Sequence, residues 1–352
     1  MKIIYLGSAD TGSTSIQRAN ALKRLGCEVE VFDPVDAFKQ KLRFSVINKF
    51  HYYTGYEFLQ KHVYKWLDKT FSNVPLPDII WINGGEFLGP LCMELVKQKN
   101  VPIILYNNDD PTGGRDKGRF NMLLKALSYY NLCAVMRQIN VAEYYSKGAK
   151  KVLKVTMSYD EEMHKPFKSI ADIPVSMRSE ICFIGTWMYG EDRDVFLIDL
   201  IEKKLPVSIW GGRWKKSKYW DKLRPFHRGD ILTGRDYTAA IQGSKICLGF
   251  LSKGNRDLHT QRSLEIPFAG GLFCGERTSE HMDMYQEGKE AVFWKDSAEC
   301  AKICLELLSD DNRRESIREA GMKRIRNLKM GNEDICKMIL KEANKEFSSN
   351  IF

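Results

Sequence analysis

Arg262 and Glu265 stand one helical turn apart, between a polar loop at 255–261 and a break at Pro267 that leads through Ala269, Gly270 and Gly271 into the apolar run Leu272, Phe273, Cys274. The pattern predicts a short helix packed closely on a following strand, since glycines permit such an approach. A guanidinium offers a planar fork to phosphate oxygens, and a carboxylate accepts two hydrogen bonds from neighbouring ribose hydroxyls, so the pair suits a phosphorylated sugar. A second candidate is the strand pattern from Ile181 that ends in Gly185 and Thr186, with Arg193 after it. Backbone N–H groups at a helix start plus one guanidinium would cradle a diphosphate; a solvated arginine on a helix is the alternative. Three acids follow apolar runs in the first half: Glu86 after Gly84 and Gly85, and Asp109 and Asp110 after the run ending at Tyr106. In open α/β sheets ligands sit outside the carboxyl ends of strands, so these acids are candidates for the base that takes a proton from an attacking hydroxyl. A turn and helix cap before Pro111 accounts for the Asp pair equally well.

The elements that must position these residues read as β-α-β units. A strand at 2–7 leads to a turn carrying Gly7, Ser8 and Gly12, a helix at 15–25 stopped by Gly26, and a strand at 28–32. The turn lacks the Gly-x-Gly-x-x-Gly spacing of a dinucleotide site and is expected to face an interdomain cleft. The same order returns with a strand from 181, a helix at 194–203 and a strand at 206–210. Asp192, Arg193 and Asp194 spell the Asp-x-Asp of metal-dependent transferases, but they open a helix, where acids favour the positive dipole end. The expected fold is α/β, two Rossmann-like domains facing each other across a cleft: 1–163, a proline-containing linker at 164–180, 181–330, and a C-terminal helix or tail at 331–352.

A chain of 352 residues with 43% hydrophobic and 28% charged residues can bury two cores. No apolar run approaches the roughly 20 residues that span a bilayer, and the chain opens directly on a strand pattern, so a cytoplasmic location is expected. Nine cysteines form no Cys-x-x-Cys pair and fall in apolar runs, which favours buried free thiols over metal ligands. The formal charge of +9 invites an anionic partner: nucleic acid, an anionic membrane surface or a nucleotide-sugar. Residues 37–69 interleave basic and aromatic side chains, as a peripheral contact at the inner membrane face would, or as two ordinary amphipathic helices would. Residues 212–228, also basic and aromatic, read as a solvated loop.

The stretch RSLEIPFAGG from Arg262, the stretch YQEGKEAVFW from Tyr285 and the helix end ESIREAG up to Gly321 resemble the C-terminal region of the CgeB-like (spore maturation protein) glycosyltransferases. The likeness runs over 179–321. More distantly it resembles the GT-B glycosyltransferases of group 1 type, in which two acids flank a seven-residue spacer; Asp257 stands where that group has its first acid and Glu265 where it has its second. The resemblance implies a GT-B architecture and a nucleotide-sugar donor in the C-terminal domain. Glu265 would hold ribose, Arg193 and Arg262 the diphosphate, Asp257 the sugar, with Gly185, Thr186, Gly270 and Gly271 in the donor loops. The acceptor, of unspecified identity, would enter from the N-terminal side. With arginines neutralising the leaving group, neither a metal nor a cofactor is required. A nucleotide-sugar epimerase of the same architecture is the alternative enzyme, and a nucleic-acid binder is disfavoured.

Overall fold

The computed structural model describes residues 1–348. They form two open sheets of six strands, every pairing parallel, and two compact units. The first sheet contains β1 (Lys2–Leu6), β2 (Glu28–Phe32), β3 (Ile79–Asn83), β4 (Ile103–Asn107), β5 (Leu132–Val135) and β6 (Val152–Lys154) in the order β2-β1-β3-β4-β5-β6. The second contains β7 (Ser179–Ile184), β8 (Val207–Trp210), β9 (His227–Gly229), β10 (Ser244–Gly249), β11 (Phe273–Glu276) and β12 (Val292–Trp294) in the order β12-β11-β10-β7-β8-β9. Central strands of a parallel sheet are covered on both faces. That is why β3, β4 and β7 are apolar runs rather than alternations, and why Ile80, Ile104, Trp81, Tyr106 and Ile181 are fully buried.

The strand order fixes where ligands can sit. In each sheet the chain starts in the middle and winds outward both ways, so neighbouring strands send their crossovers to opposite faces and leave a crevice between their carboxyl ends. That switch point lies between β1 and β3 in the first unit and between β7 and β10 in the second.

The units are cut differently from the expected boundaries. The first comprises 1–156, a short insert Gly254–Arg256 and the helix Asn332–Ser348; the second comprises 157–253 and 257–331. The expected linker at 164–180 is part of the second unit. Its polar groups are satisfied locally, as where the Asp172 carboxylate accepts the Ser169 N–H (3.0 Å) and Arg178 donates to the carbonyls of Ile170 and Ile173 (2.8 Å each), so proline and polarity mark irregular backbone here rather than an exposed tether. The C-terminal helix packs on helix Thr14–Arg24, burying Ile335, Cys336 and Ile339, and the pairs Arg24–Glu333 (2.6 Å) and Lys151–Glu342 (2.6 Å) hold it to the first unit.

The expected solvated loop at 212–228 is also corrected. It folds into short helical turns and the edge strand β9, because Trp214 is fully buried and its indole donates to the Gly185 carbonyl at 2.9 Å. Among the described residues no helix is long and apolar enough to cross a membrane.

Candidate functional site

At the switch point of the second unit, the loops after β7 and β10 lie side by side. Arg193, first residue of helix Arg193–Glu202, is buried and donates to the carbonyls of Thr186 (3.1 Å) and Leu251 (3.1 Å), one in each loop. Its guanidinium braces the two loops, which replaces the expected role on a diphosphate. The Gly185 turn is likewise tied inward. Gly185 N–H donates to the Trp210 carbonyl (2.9 Å) and Trp187 N–H to the Gly212 carbonyl (3.0 Å), so neither amide is left to cradle an anion. A Cβ on Gly185 would lie 2.6 Å from the Phe183 ring, so glycine is required there for packing. Asp194 is buried and accepts from the Trp187 indole (2.8 Å) and the Ser217 hydroxyl (2.5 Å), a structural use of the Asp-x-Asp spelling.

Helix Gln261–Phe268 brings the candidate donor residues to this crevice. Arg262 Nε donates to the carbonyl of Ile184, the last residue of β7, at 2.6 Å, while its two terminal nitrogens take no hydrogen bond among the described residues. One turn on, Glu265 is buried, and its Oε2 accepts the Tyr237 hydroxyl at 2.6 Å. Burial, reinforced by the Glu265 charge, pushes the Tyr237 hydroxyl well up, so it stays a donor. His164 Nδ1 accepts the Asp160 N–H (2.9 Å); the ring hydrogen is therefore on Nε2, which faces Glu265 Oε1 at 3.8 Å. One carboxylate oxygen is fixed and the other is more loosely engaged. Asp257 is buried in the loop between β10 and this helix.

The rest of the helix is explained by packing. Pro267 has no N–H for the Ser263 carbonyl one turn back, and the buried Tyr285 hydroxyl donates to that carbonyl instead at 2.7 Å. Gly270, at φ +88°, donates to the Pro267 carbonyl and Gly271 to the Ile266 carbonyl, closing a Schellman motif. A Cβ on Gly271 would lie 2.7 Å from Ile241 Cγ2. Both glycines stand before the start of β11, at the end of the sheet away from the switch loops, so their expected place in the donor site is corrected to helix termination and close packing. At the other end, Thr260 N–H donates to Ser263 Oγ (3.0 Å), which in turn donates to His281 Nε2 (2.7 Å), while His281 Nδ1 donates to the Glu276 carbonyl (2.6 Å). Burial pushes His281 down to about 4, so it is a neutral strut at neutral pH. His259 has a parallel role: its Nε2 accepts the Met157 N–H (3.2 Å) and its Nδ1 meets Glu280 at 2.5 Å.

In the first unit, the loop after β1 is closed on itself. Gly12 N–H donates to Asp10 Oδ1 (2.9 Å), Ser13 caps helix Thr14–Arg24, and the Ser8 carbonyl accepts the Ser13 hydroxyl (3.3 Å). A Cβ on Gly7 would lie 2.6 Å from Ser15 Oγ, which keeps the loop close to the helix. Buried Arg18 supports this switch point from beneath, donating to Asn83 Oδ1 (2.7 Å) with its guanidinium 3.5 Å from the centre of the Tyr106 ring.

Glu86 and Asp109 belong to one chain of charges: Arg119 donates to Glu86 (2.7 Å) and Asp109 (3.1 Å), Arg115 to Asp109 (3.1 Å) and Asp116 (2.6 Å), and Tyr52 donates its hydroxyl to Asp116 (2.7 Å). Burial works to lower Arg119, but the Glu86 and Asp109 charges outweigh it and raise the group, so the guanidinium is permanently charged. Asp110 is separate. Its side chain has 0% exposure and accepts from Arg256 Nε (2.6 Å), Arg256 Nη2 (2.8 Å) and Asn140 (2.8 Å), while Arg256 also pairs with Glu143 at 2.9 Å. A base must be reached by the hydroxyl it deprotonates, so Asp110 is corrected from candidate base to anchor of the 254–256 insert. Burial alone would raise its carboxyl; the hydrogen bonds of Arg256 and Asn140 overcome that and leave it below the ordinary range.

Residues 193–329 match the family model described as glycosyl transferase-like. The whole chain superimposes on sucrose-phosphate synthase from Thermosynechococcus elongatus (TM-score 0.71, 13% identity, covering 99% of this chain and 100% of that one). It superimposes similarly on HepE of Anabaena in complex with UDP-glucose (TM-score 0.68, 14% identity, 99% and 100%). A third such structure is α,α-trehalose 6-phosphate synthase from Burkholderia multivorans (TM-score 0.66, 12% identity, 99% and 99%). The chain has the GT-B fold. No curated protein sequence matches it.

Of the residues the sequence singled out in this GT-B chain, the structure brings Arg193, Arg262, Glu265, Asp257, Gly185 and Thr186 to one switch point, and Glu86, Asp109 and the Gly7 loop to the strand ends of the first unit. Sequence reasoning missed Tyr237, His164, His259, Arg115, Arg119 and Arg256. Tyr237, His259, Arg119 and Arg256 meet partners 28, 21, 33 and 146 positions away, which no local pattern signals, whereas Arg115 pairs with acids one and six positions away. Cys274 of β11 and Cys300 and Cys304 of helix Ser297–Ser309 bring their sulfurs within 4.8 Å of one another, and all three are buried in the second hydrophobic core.

Proposed function

We propose that the enzyme transfers a sugar from a nucleotide-sugar donor to an acceptor hydroxyl. One observation carries the reading: on a single turn beside the β7/β10 switch point, Glu265 is pre-ordered by Tyr237, and Arg262 is hooked to the end of β7 with its terminal nitrogens available. Glu265 accepts the ribose hydroxyls. Arg262 and the start of helix Gln261–Phe268 meet the diphosphate, and Asp257, eight positions before Glu265, approaches the sugar. Arg193 acts one step back, by fixing the loops on either side.

Charge on the departing nucleoside diphosphate is offset by a fixed guanidinium and backbone amides, a preorganised field that needs no divalent ion. We take Asp109, with a side chain 31% exposed, as the acid that accepts the hydroxyl proton of the acceptor, and Glu86, 14% exposed, shares the Arg119 guanidinium with it. The similarity of the CgeB-like stretches supports this assignment within the GT-B enzymes.

A thermal-shift screen tests the reading. UDP and UDP-sugars, chosen because the HepE structure holds UDP-glucose, should raise the melting temperature while uridine should not, since only the former reach Arg262. A ligand at 100 times its dissociation constant adds roughly 2.7 kcal/mol, a readable shift. No response to any nucleoside diphosphate or nucleotide-sugar would overturn the proposal.

A further inference from the structure

Helix Ser45–Tyr53 in the first unit buries none of its residues, and every residue from 43 to 50 is exposed. A helix of a folded unit normally turns its apolar stripe to the core. This one turns it outward: Val46, Phe50 and Tyr53, at positions i, i+4 and i+7, are 79%, 50% and 50% exposed, with Ile47 (41%) beside them. Phe44 (54%) precedes the helix, and Phe58 (62%) lies against Phe50 with ring centres 5.2 Å apart and planes tilted by 31°, so the apolar surface extends past the helix. The helix is nevertheless fixed, because Tyr52 faces inward and donates its hydroxyl to Asp116 at 2.7 Å.

We infer that this face docks the chain on an anionic lipid bilayer. The charge around it identifies the occupant. From Lys39 to Lys65 the chain carries six lysines and arginines and a single acid, Glu57, against a net +9 for all 352 residues. An aliphatic and aromatic wedge flanked by cations matches the two layers of a bilayer surface, acyl chains beneath and anionic headgroups above. A second copy of this chain fits poorly, because a two-fold contact would set the same cations against themselves. Single-stranded nucleic acid fits less well, since the aliphatic pair Val46 and Ile47, the former the most exposed apolar side chain of this face, offers no ring for a base to stack on. Tyr52 also gives the docked helix a bonded route to the site: Asp116 pairs with Arg115, and Arg115 with Asp109.

Co-sedimentation of the full chain with vesicles tests this without reference to sugar transfer. The protein should pellet with phosphatidylglycerol–phosphatidylcholine vesicles, fall off as salt rises, and stay in solution with pure phosphatidylcholine. The double substitution Val46→Asp with Phe50→Asp should reduce partition at least about tenfold, and Lys49→Ala about fivefold, the effect of one basic residue near the surface. These side chains are exposed, so the melting curve of each variant should match that of the parent. Three results would each overturn the inference: no binding to either vesicle, equal binding to both, or a dimer by light scattering that Phe50→Asp converts to monomer.

Discussion

At the scale of single residues, three carboxylates are distinguished by what already holds them. Glu265 gives one oxygen to Tyr237 and leaves the other more loosely engaged, so Glu265→Gln should keep the fold, since an amide oxygen still accepts the phenol. It should weaken nucleotide-sugar binding about 10 to 100-fold, because hydrogen bonds to a charged group are worth roughly 1.5–3 kcal/mol; titration calorimetry of the folded variant reads this directly, and unchanged affinity would remove Glu265 from the site. Asp109 and Asp110 are neighbours with different fates. Asp109 is partly exposed, and Asp109→Asn should lower turnover at least about 100-fold while donor affinity stays near that of the parent, the signature of a group used in the transition state. Asp110→Asn should instead lower the urea midpoint, since it removes the charge that a doubly bonded Arg256 requires. A folded, equally stable Asp110→Asn enzyme with lost turnover would return Asp110 to the chemistry.

At the scale of the element, helix Gln261–Phe268 continues through a proline because the tertiary structure supplies the missing donor. Tyr285→Phe leaves the buried Ser263 carbonyl without its partner and should destabilise the second unit by about 1–3 kcal/mol, measured by denaturant unfolding. In a Pro267→Ala background the helix regains its own N–H for that carbonyl, and the same substitution should then do less harm. Equal losses in both backgrounds would mean that the Tyr285 hydroxyl does not act by standing in for the N–H that Pro267 lacks.

For the whole molecule, the first unit depends on the three-residue insert Gly254–Arg256, in which Arg256 holds a left-handed φ of +54°. What keeps it there is the fork of Arg256 on Asp110 and Glu143. Both carboxyls sit below their ordinary range: Glu143 chiefly through the Arg256 hydrogen bond, Asp110 because the Arg256 and Asn140 bonds overcome burial. A carboxyl depressed in the folded state contributes stability above its unfolded value, near pH 4, and loses it as pH falls through the lowered folded value, because the unfolded chain then binds more protons. Urea midpoints followed from pH 7 down to pH 3 should therefore fall more steeply for the parent than for Arg256→Met, and the two should converge at the acid end. Parallel curves would show that the pair does not govern the unit's acid stability.

The amino-acid sequence by itself determined the strands and the one-turn spacing of Arg262 and Glu265. Apolar runs such as Ile79–Asn83 and Ser179–Ile184 have no alternative to a doubly covered parallel strand, and the Arg262–Glu265 spacing survives folding because helical periodicity is local. Only the tertiary structure decided which charges are available. Arg193 and Arg262 are alike in sequence, yet one braces two carbonyls and the other leaves two nitrogens for a ligand. Asp109 and Asp110 are adjacent, yet only the second meets an arginine 146 positions away. The same holds for helix Asn332–Ser348, which follows the second unit in the chain and packs in the first. Hydrophobic periodicity specifies an element and its buried face, but the partner of a charge is set by the order in which strands are laid beside one another, a property of the whole sheet that no local window contains.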